Sequence, residues 1–209
     1  MIQSDAAANA AGNILPICGP AGVGKSTIGF ELYQRYLRVG RTAAYIDLDQ
    51  IGFLRPDAAS DPSHHQLKAR KLAAMWRTYH AAGAQHLVAT GPIPSAAVRQ
   101  ICLDALPAAA ITVCRLHAEV AELHTRIRSR ASGGSWPQSG DPQRGQSAEY
   151  LSRVADQAAA SAQALEHAKA EDIRIDTGGR IVIEAVDLIA AATDSLAVQP
   201  HPPAPRMQR

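Results

Sequence analysis

Between the short apolar run Ile14-Leu15-Pro16-Ile17-Cys18 and an amphipathic stretch from about Lys25 to Val39, the chain reads Gly19-Pro20-Ala21-Gly22-Val23-Gly24-Lys25-Ser26-Thr27. The apolar run predicts a buried strand, and Ile28, Leu32, Tyr36 and Val39 share one face of the predicted helix. Gly19, Gly22 and Gly24 let backbone N–H groups turn inward and approach an anion closely. The helix N-terminus aims the positive end of its dipole at the same point. With Lys25 and Ser26, the segment matches the spacing that cradles the phosphates of a nucleoside triphosphate. The Val23 amide lies within the cradle, Lys25 supplies a charge to the β- and γ-phosphates, and Thr27 reaches the α-phosphate. Ser26 offers a hydroxyl to Mg2+, which prefers oxygen ligands. The expected ligands are ATP or GTP with Mg2+.

The rest of the chain repeats strand and helix. Predicted strands lie at Thr42–Ile46, His86–Thr90, Ala110–Arg115 and Asp172–Ile175. Predicted helices lie at His64–Ala82, Ser95–Leu106, Glu119–Arg130, Ala148–Ala168 and Ile181–Ala192. Such alternation specifies an α/β fold, a parallel sheet with helices on both faces and the motif-bearing strand ends along one edge. At 209 residues the chain suits one core. Residues 1–12 read as a flexible tail, 13–195 as the domain, and 196–209, with four prolines from Ala197 onward, as a disordered tail.

Composition removes several classes. The net charge is +2 with no block of one sign, so no nucleic-acid or membrane-surface footprint is expected. No apolar run approaches the roughly 20 residues of a membrane span, and Met1–Gly12 lacks the pattern of a secretory signal. Cys18, Cys102 and Cys114 form no ligand cluster and read as reduced core residues. The protein is placed in the cytoplasm, as a monomer or a homodimer.

Tyr45-Ile46-Asp47-Leu48-Asp49-Gln50 is the second informative segment. Side chains two apart in a strand point the same way, which predicts that Asp47 and Asp49 converge beside the phosphate loop. One suits the magnesium shell, and the other suits accepting a proton from an attacking hydroxyl.

These residues resemble the small-molecule kinases of the P-loop superfamily, the group that includes shikimate, gluconate and adenylylsulfate kinases and chloramphenicol phosphotransferase. The likeness rests on Gly19 to Thr27, Asp47-x-Asp49, Ala89-Thr90-Gly91 and Asp176-Thr177-Gly178, and it covers most of residues 14–192. It implies a three-layer P-loop NTPase fold with a five-stranded parallel sheet in the order 2-3-1-4-5. By position, it implies Asp47 acting on magnesium and Asp49 as base or hydroxyl ligand. Gly91 would let substrate approach the sheet edge, and the Asp176-Thr177-Gly178-Gly179 turn would lie against the base. The Gly/Ser-rich stretch 129–147 takes the place of the lid, with Arg126 and Arg130 entering it. Two departures stand out. Pro92-Ile93 follows Gly91 where shikimate kinase has a glycine run, and the lid lacks both zinc-type cysteines and the dense arginines of adenylate kinases.

Arg126 and Arg130 share a helix face and would stabilise charge on the transferring phosphoryl group; the competing reading is a solvated basic face with Arg128. On the helix from His64, Lys68 or Arg77 would bind an anionic acceptor and Trp76 or Tyr79 would stack on a ring, against the plainer reading of a charged outer face. His64-His65 does not suit a metal, because adjacent helical side chains diverge.

The sequence therefore predicts a phosphotransferase that moves the γ-phosphate to a small-molecule hydroxyl. The acceptor is left open between a primary metabolite and an antibiotic-like or nucleoside-like natural product, where phosphorylation would confer resistance. The alternatives are a nucleotide-dependent ATPase or switch, and a binding module without transfer. A guanine-specific switch lacks its Asn-Lys-x-Asp motif, since the only asparagines are Asn9 and Asn13.

Overall fold

A computed structural model of the chain describes residues 12–51, 54, 59–133 and 143–198. The predicted N-terminal tail apart from Gly12, most of the C-terminal tail and the middle of the predicted lid lie outside the described residues. In chain order the elements are β1 (Asn13–Cys18), α1 (Lys25–Arg38), β2 (Ala43–Asp47), α2 (His65–Ala81), β3 (His86–Thr90) and α3 (Ala96–Ala105). They continue as β4 (Ala110–Ile111), β5 (Cys114–His117), α4 (Val120–Arg130), α5 (Ala148–Ala168), β6 (Ile173–Asp176) and α6 (Val182–Val198). The last helix runs beyond the predicted Ala192. Among the described residues no helix is long and apolar enough to cross a membrane.

All the strand pairings are parallel, in the order β2-β3-β1-β5-β6, with β4 also paired to β1. This is the expected layout with one difference: the strand predicted over Ala110–Arg115 forms as two short pieces, β4 and β5. Pro16 explains the gap. The Ile14 carbonyl accepts from Thr112 N at 3.0 Å and the Ile17 carbonyl accepts from Gly91 N at 3.1 Å, so β1 alternates between its neighbours. Alternation turns Pro16 toward the β4–β5 side, where it has no N–H to give. Val113 bonds away from β1, donating its N–H to Asp172 Oδ2 at 2.9 Å.

The central strands are apolar on both faces because helices cover both. Leu15, Ile17, Val88 and Leu116 pack under α1 and α6, with Leu32, Val186 and Ile189. Ile14, Leu87 and Ala89 pack on the opposite face against Leu72, Ala73 and Trp76 of α2. Each fully buried Leu or Ile contributes about 2 kcal/mol. A third cluster, Ile127, Leu151, Ala155 and Ala158, joins α4 to α5. The three cysteines are buried and unpaired, and burial pushes the Cys18 thiol up to about 11.

Helix α1 lies very close to the sheet. A Cβ on Gly29 would meet Thr90 Cγ2 at 2.4 Å, Tyr45 Cε2 at 3.4 Å and Ile17 Cδ1 at 3.6 Å. One strand in from the β6 edge, Arg115 of β5 is buried and donates to Glu166 at 2.9 Å and to Glu171 at 2.9 Å. Those hydrogen bonds hold the Glu166 carboxyl below its ordinary range.

Two outcomes follow. Replacing a helix-interior glycine by alanine ordinarily stabilises by about 1 kcal/mol, but at Gly29 the methyl would overpack the core at about 1–3 kcal/mol. Gly29→Ala should therefore lower the thermal midpoint, read by circular dichroism. Adding Thr90→Ser, which removes the Cγ2 methyl, should restore it. An unchanged midpoint in Gly29→Ala would show that α1 lifts off the sheet at no cost. For Glu166, a lowered folded-state pKa means that its contribution is complete above the ordinary glutamate value of about 4.3. The contribution is lost as pH falls through the lowered folded value. The urea midpoint should drop on acidification below about pH 5 more steeply in the natural chain than in Glu166→Gln.

Candidate functional site

The carboxyl edge of the sheet opens into a cavity of about 460 Å3. One wall is the loop between β1 and α1. Gly22 and Gly24 take φ of 80° and 99°, values that side-chain-bearing residues rarely adopt, and α1 begins at once with Lys25. Gly22, Val23, Gly24, Lys25, Ser26 and Thr27 all line the cavity. The Lys25 ammonium curls back over the loop and donates to the carbonyls of Gly19 at 2.9 Å and Pro20 at 3.0 Å. Burial pulls its pKa down, and the carboxylates of Asp49 and Asp47 oppose that pull.

Asp47 ends β2 and is buried. Its Oδ2 accepts from Ser26 Oγ at 2.9 Å and its Oδ1 accepts from Asp49 N at 2.9 Å. The second bond corrects the expected geometry. Strand β2 stops at Asp47, and Gln50 N donates back to the Asp47 carbonyl at 3.1 Å, so Asp49 sits on a turn and not on the strand. Leu48, buried between the two aspartates, anchors that turn. Both aspartates still reach the cavity, by different routes. Asp49 is exposed at its mouth, and Lys68 of α2 lies 3.3 Å from its Oδ1.

The opposite wall belongs to α4 and the turn after β6. Arg126, Arg130 and Thr177 line it, with Ile181, Val182 and Ala185. Thr177 is buried, receives Arg126 Nη1 on its hydroxyl at 3.0 Å, and passes its own hydrogen bond to the His117 carbonyl at 3.0 Å. Arg126 Nη2 donates to the Thr177 carbonyl at 2.7 Å and pairs with Glu122, while Nη1 also points at the Val23 carbonyl at 3.4 Å. Arg126 is thus fixed into the wall, which differs from the expected lid arginine that swings onto a phosphoryl group. Arg130, one turn further on, lines the cavity too.

Other expected site residues lie elsewhere. Gly91 is buried against Leu48, where a Cβ would meet Leu48 Cβ at 2.7 Å, so protein and not open space faces it. Arg77 lines a small hollow between α2 and α3 with Ala73, Trp76 and Leu106. Trp76 is buried beside Gly12 and Gln85, at the amino edge of the sheet, and Tyr79 packs against the same core, so neither is placed to stack on an acceptor. Asp176 and Gly178 stand just outside the cavity, with Gly178 N donating to Asp176 Oδ1 at 2.9 Å. Sequence reasoning missed Glu122, which is bonded to the Arg126 plate, and Gln50 and Arg180 on the lining. The spacing of Glu122 four residues before Arg126 is the signal that was available.

The donor set suits magnesium. Ser26 and Asp47 present hard oxygens beside the phosphate loop, and magnesium takes one or two protein ligands and completes its shell with water and phosphate.

No protein-family model matches this chain, and no curated protein does. Solved structures do. A gluconokinase from Sinorhizobium meliloti 1021 superposes with a TM-score of 0.59 at 16% identity, over 89% of this chain and 93% of its own. A tunicamycin resistance protein of Deinococcus radiodurans gives 0.55 at 18% identity, over 92% and 99%. The Mycobacterium tuberculosis APS kinase CysC, in complex with AMPPNP and APS, gives 0.52 at 17% identity, over 88% and 98%. This chain has the fold of the P-loop small-molecule kinases.

Proposed function

We propose that this chain is a phosphotransferase that moves the γ-phosphoryl group of a nucleoside triphosphate onto a hydroxyl of a small molecule. The observation that carries the reading is the Ser26–Asp47 hydrogen bond beside Lys25, in a cavity with Asp49 at its mouth. The kinase fold supports it.

The loop amides and Lys25 bind the phosphates and neutralise their charge. Magnesium, held by Ser26 and Asp47, would neutralise charge shared between the β- and γ-phosphates. Asp47 also fixes the Asp49 amide, so the Ser26 hydroxyl and the Asp49 turn are set by one carboxylate. Asp49 orients the acceptor hydroxyl and takes its proton as the new oxygen–phosphorus bond forms and the bond from the γ-phosphorus to the bridging oxygen breaks, releasing the nucleoside diphosphate. Lys68 keeps Asp49 close to α2, on the side where the acceptor enters. Arg130 adds charge near the phosphates. The Arg126 face and Thr177 wall border the nucleoside end, and either ATP or GTP serves as donor. A primary metabolite and an antibiotic-like or nucleoside-like natural product both fit as acceptor. The names of the proteins sharing this fold make gluconate, adenylylsulfate and tunicamycin the first compounds to try.

The test is to incubate the full chain with Mg2+, ATP or GTP and such an acceptor panel, and to look for a product heavier by one phosphoryl group by mass spectrometry. Hydrolysis that no acceptor stimulates would overturn the reading. Lys25→Ala should abolish nucleotide binding by isothermal titration. Asp49→Asn should retain that binding within about twofold while transfer falls about 100-fold or more, the scale of a lost acid–base group. Full transfer in Asp49→Asn would remove the role given to Asp49.

A further inference from the structure

Arg126 is an unusual member of the cavity wall. Its two terminal nitrogens carry four N–H donors, and four acceptors face them: the Val23 carbonyl, the Thr177 hydroxyl, the Thr177 carbonyl and the Glu122 carboxylate. Arg126 lines the cavity, and a guanidinium whose terminal donors are all engaged in its plane has only its face left for a ligand. The partners come from the phosphate loop, the turn after β6 and α4 itself, so the plate is set relative to the phosphate end as well as to its own helix.

Glu122 holds two parts of this wall with one oxygen. Its Oε1 pairs with Arg126 Nη2 and accepts from Gly179 N at 3.3 Å. The carboxylate stands a turn before Arg126 on α4 and is itself about one-third exposed, at 31%. It is not among the residues lining the cavity, so its action on a ligand passes through Arg126 and the turn at Gly178-Gly179.

We propose that Glu122 is the positioning residue for the nucleobase end of the donor site. It locks the Arg126 face parallel to an incoming purine and fixes the turn at Gly179 alongside. This rests on the phosphotransferase reading above and adds to it the residue that positions the base-facing wall. A flat cationic face stacks on any purine, because every base has a π-face. The contribution of Glu122 is therefore the same for adenine and guanine, and it does not extend to the phosphates, which Lys25 and the loop amides hold.

The experiment compares three probes on the full chain with Mg2+: ATP, GTP and inorganic tripolyphosphate, which lacks a base. Affinities are read by isothermal titration for the natural chain, Glu122→Ala and Glu122→Gln. Glu122→Ala should weaken ATP and GTP by about tenfold each, the scale of a stacked cation–π contact, and leave tripolyphosphate within about twofold. Glu122→Gln keeps a carbonyl oxygen for Arg126 and Gly179, and it should recover most of the loss. A purely structural role would weaken all three probes equally, and that result overturns the proposal. Unchanged ATP affinity in Glu122→Ala overturns it as well. Failure of the natural chain to bind ATP or GTP would defeat the phosphotransferase reading itself, an outcome distinct from either of these.

Discussion

One hydrogen bond, from Ser26 Oγ to Asp47 Oδ2, ties the first turn of α1 to the end of β2 across the intervening strand β3. Its length of 2.9 Å requires α1 to lie almost on the sheet. Gly29 makes that approach sterically allowed, and the parallel register of β1, β2 and β3 brings their carboxyl ends level. The remaining features of the phosphate end follow from this contact. The second oxygen of Asp47 shapes the turn that carries Asp49, and Leu48 plugs that turn against the end of β3.

The wall opposite the phosphate loop, the proposed nucleoside end, is built on a different principle. Its wall is a lattice of side-chain and carbonyl hydrogen bonds centred on Thr177, with Arg126 as the flat element. The two ends meet at Val23, whose amide donates to the Pro20 carbonyl at 3.4 Å and whose carbonyl faces Arg126. Hydrogen bonds thus brace the cavity at both ends, and Asp49 stands exposed at its mouth, where the proposed acceptor would enter.

Much of this was legible in the sequence, for identifiable reasons. The glycine-rich loop is legible because few sequences give a strand, a positive-φ turn and a helix in immediate succession. The strand order came from resemblance, and the structure matches it apart from the break opposite Pro16. That break was itself readable, since a proline in a central strand must spoil one side of the ladder. Asp49 reaches the cavity from a turn, because strand alternation does not apply beyond Asp47. Arg77 and Trp76 were misplaced because helical periodicity gives a face but not a height. A helix of 17 residues spans the whole sheet, so its second half lies at the edge away from the site. Glu122 was overlooked because a glutamate four residues before an arginine is common on solvent-facing helices, and only the tertiary position of Thr177 gives this pair a further meaning.

The posture of Lys25 bears on energetics. Its ammonium rests on the carbonyls of Gly19 and Pro20, within the field of Asp49 and Asp47. A partly buried charge held in this way has exchanged some of its water for fixed dipoles when the chain folds. In the proposed reaction an arriving phosphate would meet a cation whose orientation is already set, and the remaining rearrangement would be a swap of carbonyl partners for phosphate oxygens. In that proposed reaction water would have little reordering left to do around the transferring group, and that is the condition under which a fixed charge acts most strongly on a transition state.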